Sequence, residues 1–549
     1  MKVERNTTKM VSKFLWDLLQ IKNNMKKIIF FAFSFALIFA SSCNKDLGNY
    51  SYSTLDTLGV TNFPDTLEIE LGSEINITPK IISDNPGFNT QELVFEWYAF
   101  NKNVANQTNA KIFLGEGPKL KMVPKMQVGN YPCYLRITQP STGRIWTNSF
   151  YLKINGKIGK IGFFILSDKN KKAHLDYFQD DPNHWNSFGK VYRDVNQYWN
   201  SIIDGGPFNI DGEPKNMEVY VMRKDFLSAQ KSTLFINSGD RSYMVNQTDN
   251  FTYNPVDFTF RSLTSGGTPE YADQIIAADD FLSMAIKDNN IYVYGFLFGK
   301  LYNVPLNSRA DGSSYPVSPF VAMPMANYHM NTMIFDTEGK AFMRFNAFSS
   351  RAFPVSATIP DFNPANTGMD LIYLGHSMAS NGQAVAIMKK DSKRFLVRFT
   401  FTSDGTIMPT SILDVTSSLT DIAGATNFAL DNKFGYLFYT ANDKLYQYDI
   451  DAKRLKVAKT LNGRKVSMLK SERYVFLHTS SQQAFTNPGR MEPLLYSVIL
   501  GTYDEKDPIS SGKVEFLHVQ GLMGDLKETI KPMSGFGIVK DIQYTDLNP

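Results

Sequence analysis

Cys43 is the residue whose surroundings most clearly point to chemistry. It follows an apolar run of 13 residues, 28–40, which begins after the basic segment 25–27 and ends in the small residues 40–42. This order of basic, apolar and small residues is typical of an export signal. The run is shorter than the roughly 20 residues with which a helix spans a bilayer core. The Cys43 thiolate would be a nucleophile able to accept a lipid chain.

Residues 40–43, with the sequence ASSC, resemble a lipobox, at which a lipoprotein signal peptidase cuts before a cysteine. The resemblance implies that residues 25–42 are a signal peptide and that Cys43 is lipidated and becomes the mature N-terminus. The alternative is an ordinary secretory signal with a chance cysteine. Residues 1–24 show no export pattern, and we interpret them as a gene-model extension upstream of the true start.

Removal of residues 1–42 changes the net charge. The full chain has 57 Lys and Arg and 53 Asp and Glu. The leader holds seven and two of these, which leaves 50 basic and 51 acidic residues. The mature chain is therefore close to neutral, and net charge gives no reason to expect nucleic acid as a partner.

Motifs for metal binding and catalysis are missing from the sequence. The six histidines form no H-E-x-x-H motif and no close His/Cys cluster, so we predict no metal site. There is also no G-x-S-x-G elbow and no Walker loop, so we predict a protein without cofactor or enzyme activity. A glycosidase needs two carboxylates about 5–10 Å apart across a cleft, which a sequence cannot show. A surface hydrolase therefore stays open as an alternative.

The aromatic insert at residues 180–208 is the first candidate for ligand or partner binding. It holds Trp185, Tyr192, Tyr198 and Trp199 among polar and glycine residues. Aromatic rings offer flat faces to sugars or apolar peptide side chains, and Trp and Tyr are favoured at binding hot spots. The alternative is that these aromatics pack a short helix onto the rest of the fold.

A second candidate is the segment 323–330, which contains Tyr328 and His329 among methionines. Methionine side chains adapt their shape to a partner, so such a segment could form an adaptable binding surface. The alternative is a plain connection between two structural repeats.

The elements that must position these residues are β-strands. The chain has 42 Phe and 27 Tyr and few long amphipathic helical stretches, which favours an all-β protein. In residues 58–155, short β-like runs at sandwich spacing predict an immunoglobulin-like β-sandwich. Trp97 occupies the place of the core tryptophan of such a sandwich, and Tyr131 has tyrosine-corner spacing to Cys133. Cys133 has no partner there and is interpreted as a small buried hydrophobe, with a reactive thiol as the alternative.

The segments FEWYAF (95–100) and VGNYPCYLRI (128–137), together with the lipobox, resemble the PKD-like lipoproteins of the Bacteroides group. The aspartate-rich turn of the usual PKD signature is absent. The resemblance implies that residues 43–57 are a lipidated tether and that the PKD-like domain is a spacer or interaction module.

Residues 157–549 repeat a pattern of β-run, polar turn and β-run about every 50 residues. Such hairpins cannot bury their faces alone, so several must pack together, and the pattern predicts a β-propeller. The length fits seven blades, with eight as the alternative. Residues 535–539 could supply a strand that closes the ring against the first blade. The predicted hairpins are 162–166 with 174–177, 281–286 with 291–294, 333–335 with 341–345, 384–388 with 395–399, and 435–439 with 444–448.

The segment GFFILSDKNKKAHLDYF (162–178) resembles the entry strand of the propeller-like part that follows the PKD-like domain in these lipoproteins. The resemblance implies a lipid-anchored, cell-surface outer-membrane protein that is a binding or accessory subunit of a SusC/SusD-type nutrient-uptake complex. Its ligand would be an oligosaccharide or a peptide. The alternatives are the surface hydrolase and a purely structural adhesion or scaffold protein.

Replacement of Cys43 tests the anchor. We expect Cys43→Ser to abolish incorporation of labelled palmitate and to move the protein from the detergent phase to the aqueous phase of Triton X-114, because a serine hydroxyl does not accept the diacylglyceryl group. Cys133→Ser is the matched control and should keep both properties. Continued labelling of the Cys43→Ser protein would contradict the lipobox interpretation.

Overall fold

The computed structural model describes most of the chain from residue 57 onward. The described residues are 57–100, 110–126, 128–156, 161–180, 188–198, 208–222, 231–246, 260–262, 264, 266, 269–277, 282–295, 302–323, 331–346, 349–402, 406–471, 496–528 and 530–546.

Within these ranges the regular structure consists of β-strands and short 3₁₀-helices, so the all-β class is confirmed. None of the described helices is long and apolar enough to cross a membrane. The 3₁₀-helices are Thr90–Glu92, Val195–Tyr198, Ala379–Asn381, Ile422–Gly424 and Gly521–Met523.

The strands before residue 157 belong to two compact units. Residues 57–61 and 80–93 form a smaller unit, and residues 62–79 and those from 94 onward form a larger one. The strands are β1 (Leu58–Thr61), β2 (Thr66–Glu70), β3 (Ile75–Ile77), β4 (Lys80–Ser83), β5 (Val94–Phe100), β6 (Lys111–Glu116), β7 (Leu120–Met122), β8 (Gly129–Gln139) and β9 (Arg144–Asn155). In the smaller unit, β1 and β4 pair as an antiparallel ribbon.

In the larger unit, five of these strands form a sheet in the order β2-β9-β8-β5-β6, and β3 pairs with β7. Alternate residues of β5 and β8 are buried, as the period of two in their sequences requires. Trp97 is fully buried and its ring lies 5.9 Å from that of Phe63 and 6.2 Å from that of Phe150. The prediction that Trp97 is a core residue is therefore confirmed.

Cys133 is buried in the middle of β8 and forms no disulfide. Burial raises the pKa of its thiol to about 12. Because the reactive form of cysteine is the thiolate, this residue is inert at neutral pH. The interpretation as a small buried hydrophobe is confirmed, and the alternative of a reactive thiol is not supported.

The strands after residue 157 follow one another as short antiparallel groups. They are β10 (Ile161–Asp168), β11 (Ala173–Asp180), β12 (Phe188–Tyr192), β13 (Pro214–Met222), β14 (Lys231–Ser238), β15 (Arg241–Asn246), β16 (Phe260–Arg261), β17 (Pro269–Glu270), β18 (Gln274–Ala277), β19 (Leu282–Lys287), β20 (Asn290–Gly295), β21 (Thr332–Asp336), β22 (Ala341–Phe345), β23 (Phe353–Pro354), β24 (Asp370–Ser377), β25 (Gln383–Lys390), β26 (Lys393–Phe401), β27 (Ile407–Asp414), β28 (Asn427–Leu430), β29 (Leu437–Ala441), β30 (Lys444–Asp449), β31 (Arg454–Thr460), β32 (Lys465–Ser471), β33 (Ser497–Tyr503), β34 (Gly512–His518), β35 (Lys527–Glu528), β36 (Met533–Phe536) and β37 (Ile538–Asp546).

Within the described residues, seven antiparallel sheets of three or more strands follow in chain order, and we number them 1 to 7; β16 and β17 form a separate two-stranded sheet between sheets 2 and 3. Sheet 1 is β12-β11-β10-β37, sheet 2 is β13-β14-β15, sheet 3 is β18-β19-β20 and sheet 4 is β21-β22-β23. Sheet 5 is β24-β25-β26-β27, sheet 6 is β28-β29-β30-β31, and sheet 7 is β32-β33-β34-β35 with β36 beside β34. The five hairpins predicted from the sequence are all present, in sheets 1, 3, 4, 5 and 6.

The C-terminal strand β37 pairs with β10, the first strand of this region, from Ile161↔Asp546 to Asp168↔Ile538. The strand predicted at 535–539 is divided between two sheets, because β36 pairs with β34 in sheet 7 and only β37 joins sheet 1. Gly535 has φ +86°, and a Cβ on Gly537 would lie 2.1 Å from the Asp168 carbonyl oxygen. The two glycines therefore allow the chain to pass from one sheet to the other.

Each sheet packs against the next through a shared hydrophobic cluster. Residues of sheets 2 and 3 share one cluster, and similar clusters join sheets 3 and 4, 4 and 5, 5 and 6, and 6 and 7. A further cluster contains residues of sheets 1, 2 and 7, such as Phe163, Val219 and Phe516. Sheet 7 therefore packs on sheet 1 as well as on sheet 6.

Side chains complete the backbone hydrogen bonds where strands β32, β37 and β13 meet. The Met217 N–H donates to Asp541 Oδ2 (2.9 Å), and Gln543 Nε2 donates to the Met217 carbonyl oxygen (2.9 Å). Lys470 Nζ donates to Asp541 Oδ1 (2.9 Å) and to the Ile542 carbonyl oxygen (2.6 Å). Asp541 therefore joins sheets 7, 1 and 2 with one carboxylate.

Removal of the Asp541 carboxylate should destabilise the protein. We expect Asp541→Ala to lower the free energy of unfolding by about 1–3 kcal/mol, because the buried Met217 N–H and the Lys470 ammonium lose their acceptor. Urea denaturation followed by fluorescence measures this. The matched control is Asp525→Ala, which breaks the 3.3 Å pair of a fully exposed carboxylate with Lys456 and should change stability little. Equal effects of both substitutions would contradict the assignment.

Candidate functional site

A cavity of about 360 Å³ is lined by one segment from each of the seven sheets. Its wall contains residues from β37 and from the first strands of sheets 2, 3, 5, 6 and 7. Sheet 4 contributes the segment 319–321, which lies next to β21 through the bridge between Ala322 and Met333. The volume corresponds to about twelve water molecules at roughly 30 Å³ each. It lies near the lower end of the range for small-molecule pockets, which is about 300–1,000 Å³.

An aromatic wall is formed by Phe320, Tyr373 and Phe428, from sheets 4, 5 and 6. The Tyr373 and Phe428 rings are stacked with centroids 5.3 Å apart and an interplanar angle of 21°. Phe320 meets Tyr373 edge to face at 5.7 Å. All three side chains are half-buried, so the wall offers apolar surface to the cavity while it packs against the neighbouring sheets.

Tyr373 owes its position to Gly375, two residues further along β24 on the same face. A Cβ at Gly375 would lie 2.0 Å from the Tyr373 hydroxyl oxygen, so the phenol occupies the space that any other residue would fill. Burial raises the pKa of Tyr373 above its ordinary value, and a backbone hydrogen bond with Leu430 opposes this shift. The phenol is therefore neutral across the physiological pH range.

The wall contributed by sheets 7, 1, 2 and 3 is polar. Lys470 and Asp541 face the cavity as an ion pair, and Glu218 and Gln274 lie on β13 and β18. Counting charges along the whole lining with His376 taken as neutral, the two carboxylates exceed the single ammonium by one. The cavity is therefore weakly acidic, with neutral amides beside the ion pair.

The sequence-based candidates fall mostly outside the described residues. Trp185, Trp199, Tyr328 and His329 lie there, and of Tyr198 only the backbone is described, as the last residue of the 3₁₀-helix Val195–Tyr198. Their binding roles stay predictions, as does lipidation of Cys43.

Tyr192 is the one candidate whose side chain is described. It ends β12, the strand of sheet 1 farthest from β37, and its ring lies 6.3 Å from that of the buried Tyr177. It packs against the cluster shared by sheets 1, 2 and 7 and does not line the cavity. This placement resembles the alternative in which the insert packs onto the fold, since Val195 beside it is fully buried.

The residues that line the cavity were not found from the sequence. Each sheet contributes only two to four of them, from a strand that looks like any other half-buried strand. The spacing of Tyr373 and Gly375 was a usable signal, because a glycine two residues from an aromatic in a strand often marks a close approach. The convergence of seven separate segments has no local signature in the sequence.

The titratable side chains among the lining residues belong to Glu218, Tyr373, His376, Lys470 and Asp541. Over the described ranges, no group of three or more His, Cys, Asp or Glu residues is placed to hold a metal ion. Asp541 is held by Lys470 and by the Met217 and Ile542 N–H groups, which commits it to a structural role. The arrangement of aromatic rings, amides and one ion pair is suited to binding.

Comparison with known proteins gives one family match. A model of the PKD-like family matches residues 43–201. No curated protein matches the chain.

Several solved structures are similar at low identity. A quinoprotein alcohol dehydrogenase-like protein from Bacteroides thetaiotaomicron is 11% identical, with 90% of this chain and 100% of that chain covered and a TM-score of 0.43. The extracellular domain of a two-component system protein from the same species is 14% identical over 59% of this chain and 36% of that chain, with a TM-score of 0.33. Apo AztD from Citrobacter koseri is 9% identical, with 82% of this chain and 98% of that chain covered and a TM-score of 0.30. Because these TM-scores are below 0.5, we base no inference on them.

Substitution of Gly375 tests the packing of the aromatic wall. We expect Gly375→Ala to lower the free energy of unfolding by about 1–3 kcal/mol, because the added Cβ forces the Tyr373 ring out of its stack. The matched control is Gly424→Ala, where no atom lies within 4 Å of the added Cβ, and stability should hardly change. In a double-mutant cycle, Tyr373→Ala should remove most of the cost of Gly375→Ala. Additive effects would contradict the proposed contact.

Proposed function

We propose that this protein is a lipid-anchored binding subunit of an outer-membrane nutrient-uptake complex of the SusC/SusD type. The cavity between the seven sheets carries the proposal, because its lining combines apolar rings with hydrogen-bonding groups as small-molecule sites do. The PKD-like match begins at Cys43, the residue that the lipobox pattern predicts to be lipidated, and this supports the proposed anchor.

We further propose that the seven sheets are the blades of a β-propeller. Three observations support this: the sheets follow one another in the chain, each packs against the next, and β37 completes the first sheet from the other end of the chain. A ring of this kind needs no terminal cap, because every sheet has two neighbours. Residues 58–155 would then be the spacer between the membrane anchor and the propeller.

The transporter is the proposed partner because an anchored protein with a small cavity must pass its ligand on to act in uptake. A neutral mature chain gives no support for nucleic acid as a partner. A hydrolase with the same architecture would need two facing carboxylates, but Asp541 is already committed to an ion pair and to two backbone N–H groups.

Purification from the native membrane tests the proposal. The lipidated protein with a C-terminal tag is isolated from detergent-solubilised outer membrane, and its companions are identified by mass spectrometry. We expect a TonB-dependent transporter and its lid protein in stoichiometric amounts. The Cys43→Ser variant, which should not be anchored, controls for binding after lysis. Recovery of the anchored protein without any transporter would contradict the proposed role.

A further inference from the structure

The cavity lining also limits the chemistry of the ligand. Lys470 is the sole Lys or Arg in the lining, and its ammonium is already engaged by Asp541 and by the Ile542 carbonyl oxygen. An anionic ligand would therefore meet the carboxylates of Glu218 and Asp541 and an ammonium that is already engaged. Phosphorylated compounds, acidic sugars and the carboxylate of a peptide are disfavoured for this reason.

The neutral polar groups point to a ligand with many hydroxyls. Gln274 lies on the wall contributed by sheet 3, and Ser471 lies at the end of β32. An amide and a hydroxyl can each both donate and accept hydrogen bonds. They can therefore bond to a sugar hydroxyl group as its donor or as its acceptor. Glu218 on β13 adds a carboxylate that accepts hydrogen bonds.

The aromatic wall supplies the apolar surface against which a ligand could pack. Phe320, Tyr373 and Phe428 come from three consecutive sheets and form a continuous apolar strip beside these polar groups. A pyranose ring has the corresponding character, with C–H groups on one face and hydroxyls at its edge. The volume of about 360 Å³ admits one or two sugar units.

We propose that this cavity binds a neutral monosaccharide or disaccharide, with Tyr373 in contact with the sugar ring and Gln274 bonded to its hydroxyls. The inference rests on the proposed role as a binding subunit and names the class of ligand. A peptide or an amine is the competing class, because Glu218 and the aromatic rings could attract a cation.

Isothermal titration calorimetry with the full mature chain tests this proposal. The neutral probes are glucose, galactose, mannose, N-acetylglucosamine, maltose, cellobiose and lactose. Glucuronic acid, glucosamine and the dipeptide Ala-Ala represent the anionic, cationic and peptide classes. We expect at least one neutral sugar to bind with a stoichiometry of one and the three charged probes to bind more weakly or not at all.

Two variants locate the binding. Tyr373→Ala should weaken the affinity for the sugar by about tenfold or more, which corresponds to about 1.4 kcal/mol. Tyr151→Ala is the matched control, because Tyr151 is an exposed tyrosine on β9, and it should leave the affinity unchanged. Gln274→Ala should also weaken binding and provides a second test if Tyr373→Ala does not fold.

The outcomes separate this inference from the proposed function. Three results would overturn the saccharide assignment. They are that no neutral sugar binds, that a charged probe binds more tightly than the sugars, or that Tyr373→Ala and Gln274→Ala leave the affinity unchanged. Co-purification with a transporter could still hold in that case, and the proposed function would stand without it. Sugar binding by a protein that purifies alone would support the saccharide site and count against the uptake complex.

Discussion

The first strands of sheets 2 to 7, and the last strand β37 in sheet 1, each have an edge that no other strand of the same sheet covers, and the backbone groups on this edge need partners. A buried N–H or carbonyl without a hydrogen bond costs stability, and a free strand edge also invites pairing with another chain. In this protein, side chains of neighbouring sheets supply some of the hydrogen-bond partners that these backbone groups need. Asp541 and Gln543 bond to the N–H and the carbonyl oxygen of Met217, and Lys470 bonds to the carbonyl oxygen of Ile542. The C-terminal strand β37 is thereby joined to β13 and β32.

This arrangement also determines the chemistry of the cavity. Because Lys470, Asp541 and Gln543 hold strands together, the Lys470–Asp541 ion pair is already engaged before a ligand enters. In sheets 4 to 6 the contacts between neighbouring sheets are apolar instead. There the rings of Phe320, Tyr373 and Phe428 pack between the sheets and also line the cavity. The same contacts that assemble the sheets leave a site with an apolar wall and a polar wall, and this division favours a neutral, hydroxyl-rich ligand.

The sequence predicted the strands better than the site. Hairpins such as 384–388 with 395–399 were found because alternating or continuous apolar runs and polar turns are local features. Trp97 and Cys133 were assigned to the core from their spacing in the sandwich, and both are buried. The division of residues 535–539 between two sheets was missed, because it depends on the close approach of Gly537 to Asp168, far away in the sequence. The cavity was missed for the same reason, since its seven segments meet only in the folded chain. Sequence reasoning placed the candidate binding residues in aromatic loops, and of those residues Tyr192 ends the outer strand of sheet 1 and packs against the cluster shared by sheets 1, 2 and 7.

The central claim is that the cavity between the seven sheets is the binding site. A crystal structure of the mature chain grown with the neutral sugar that binds most tightly in calorimetry tests it most directly. The account predicts density for one or two sugar units against Tyr373, within hydrogen-bond distance of Gln274. Sugar density only on the outer surface, such as the exposed face of the sheet β2-β9-β8-β5-β6, with the cavity holding water alone, would contradict it.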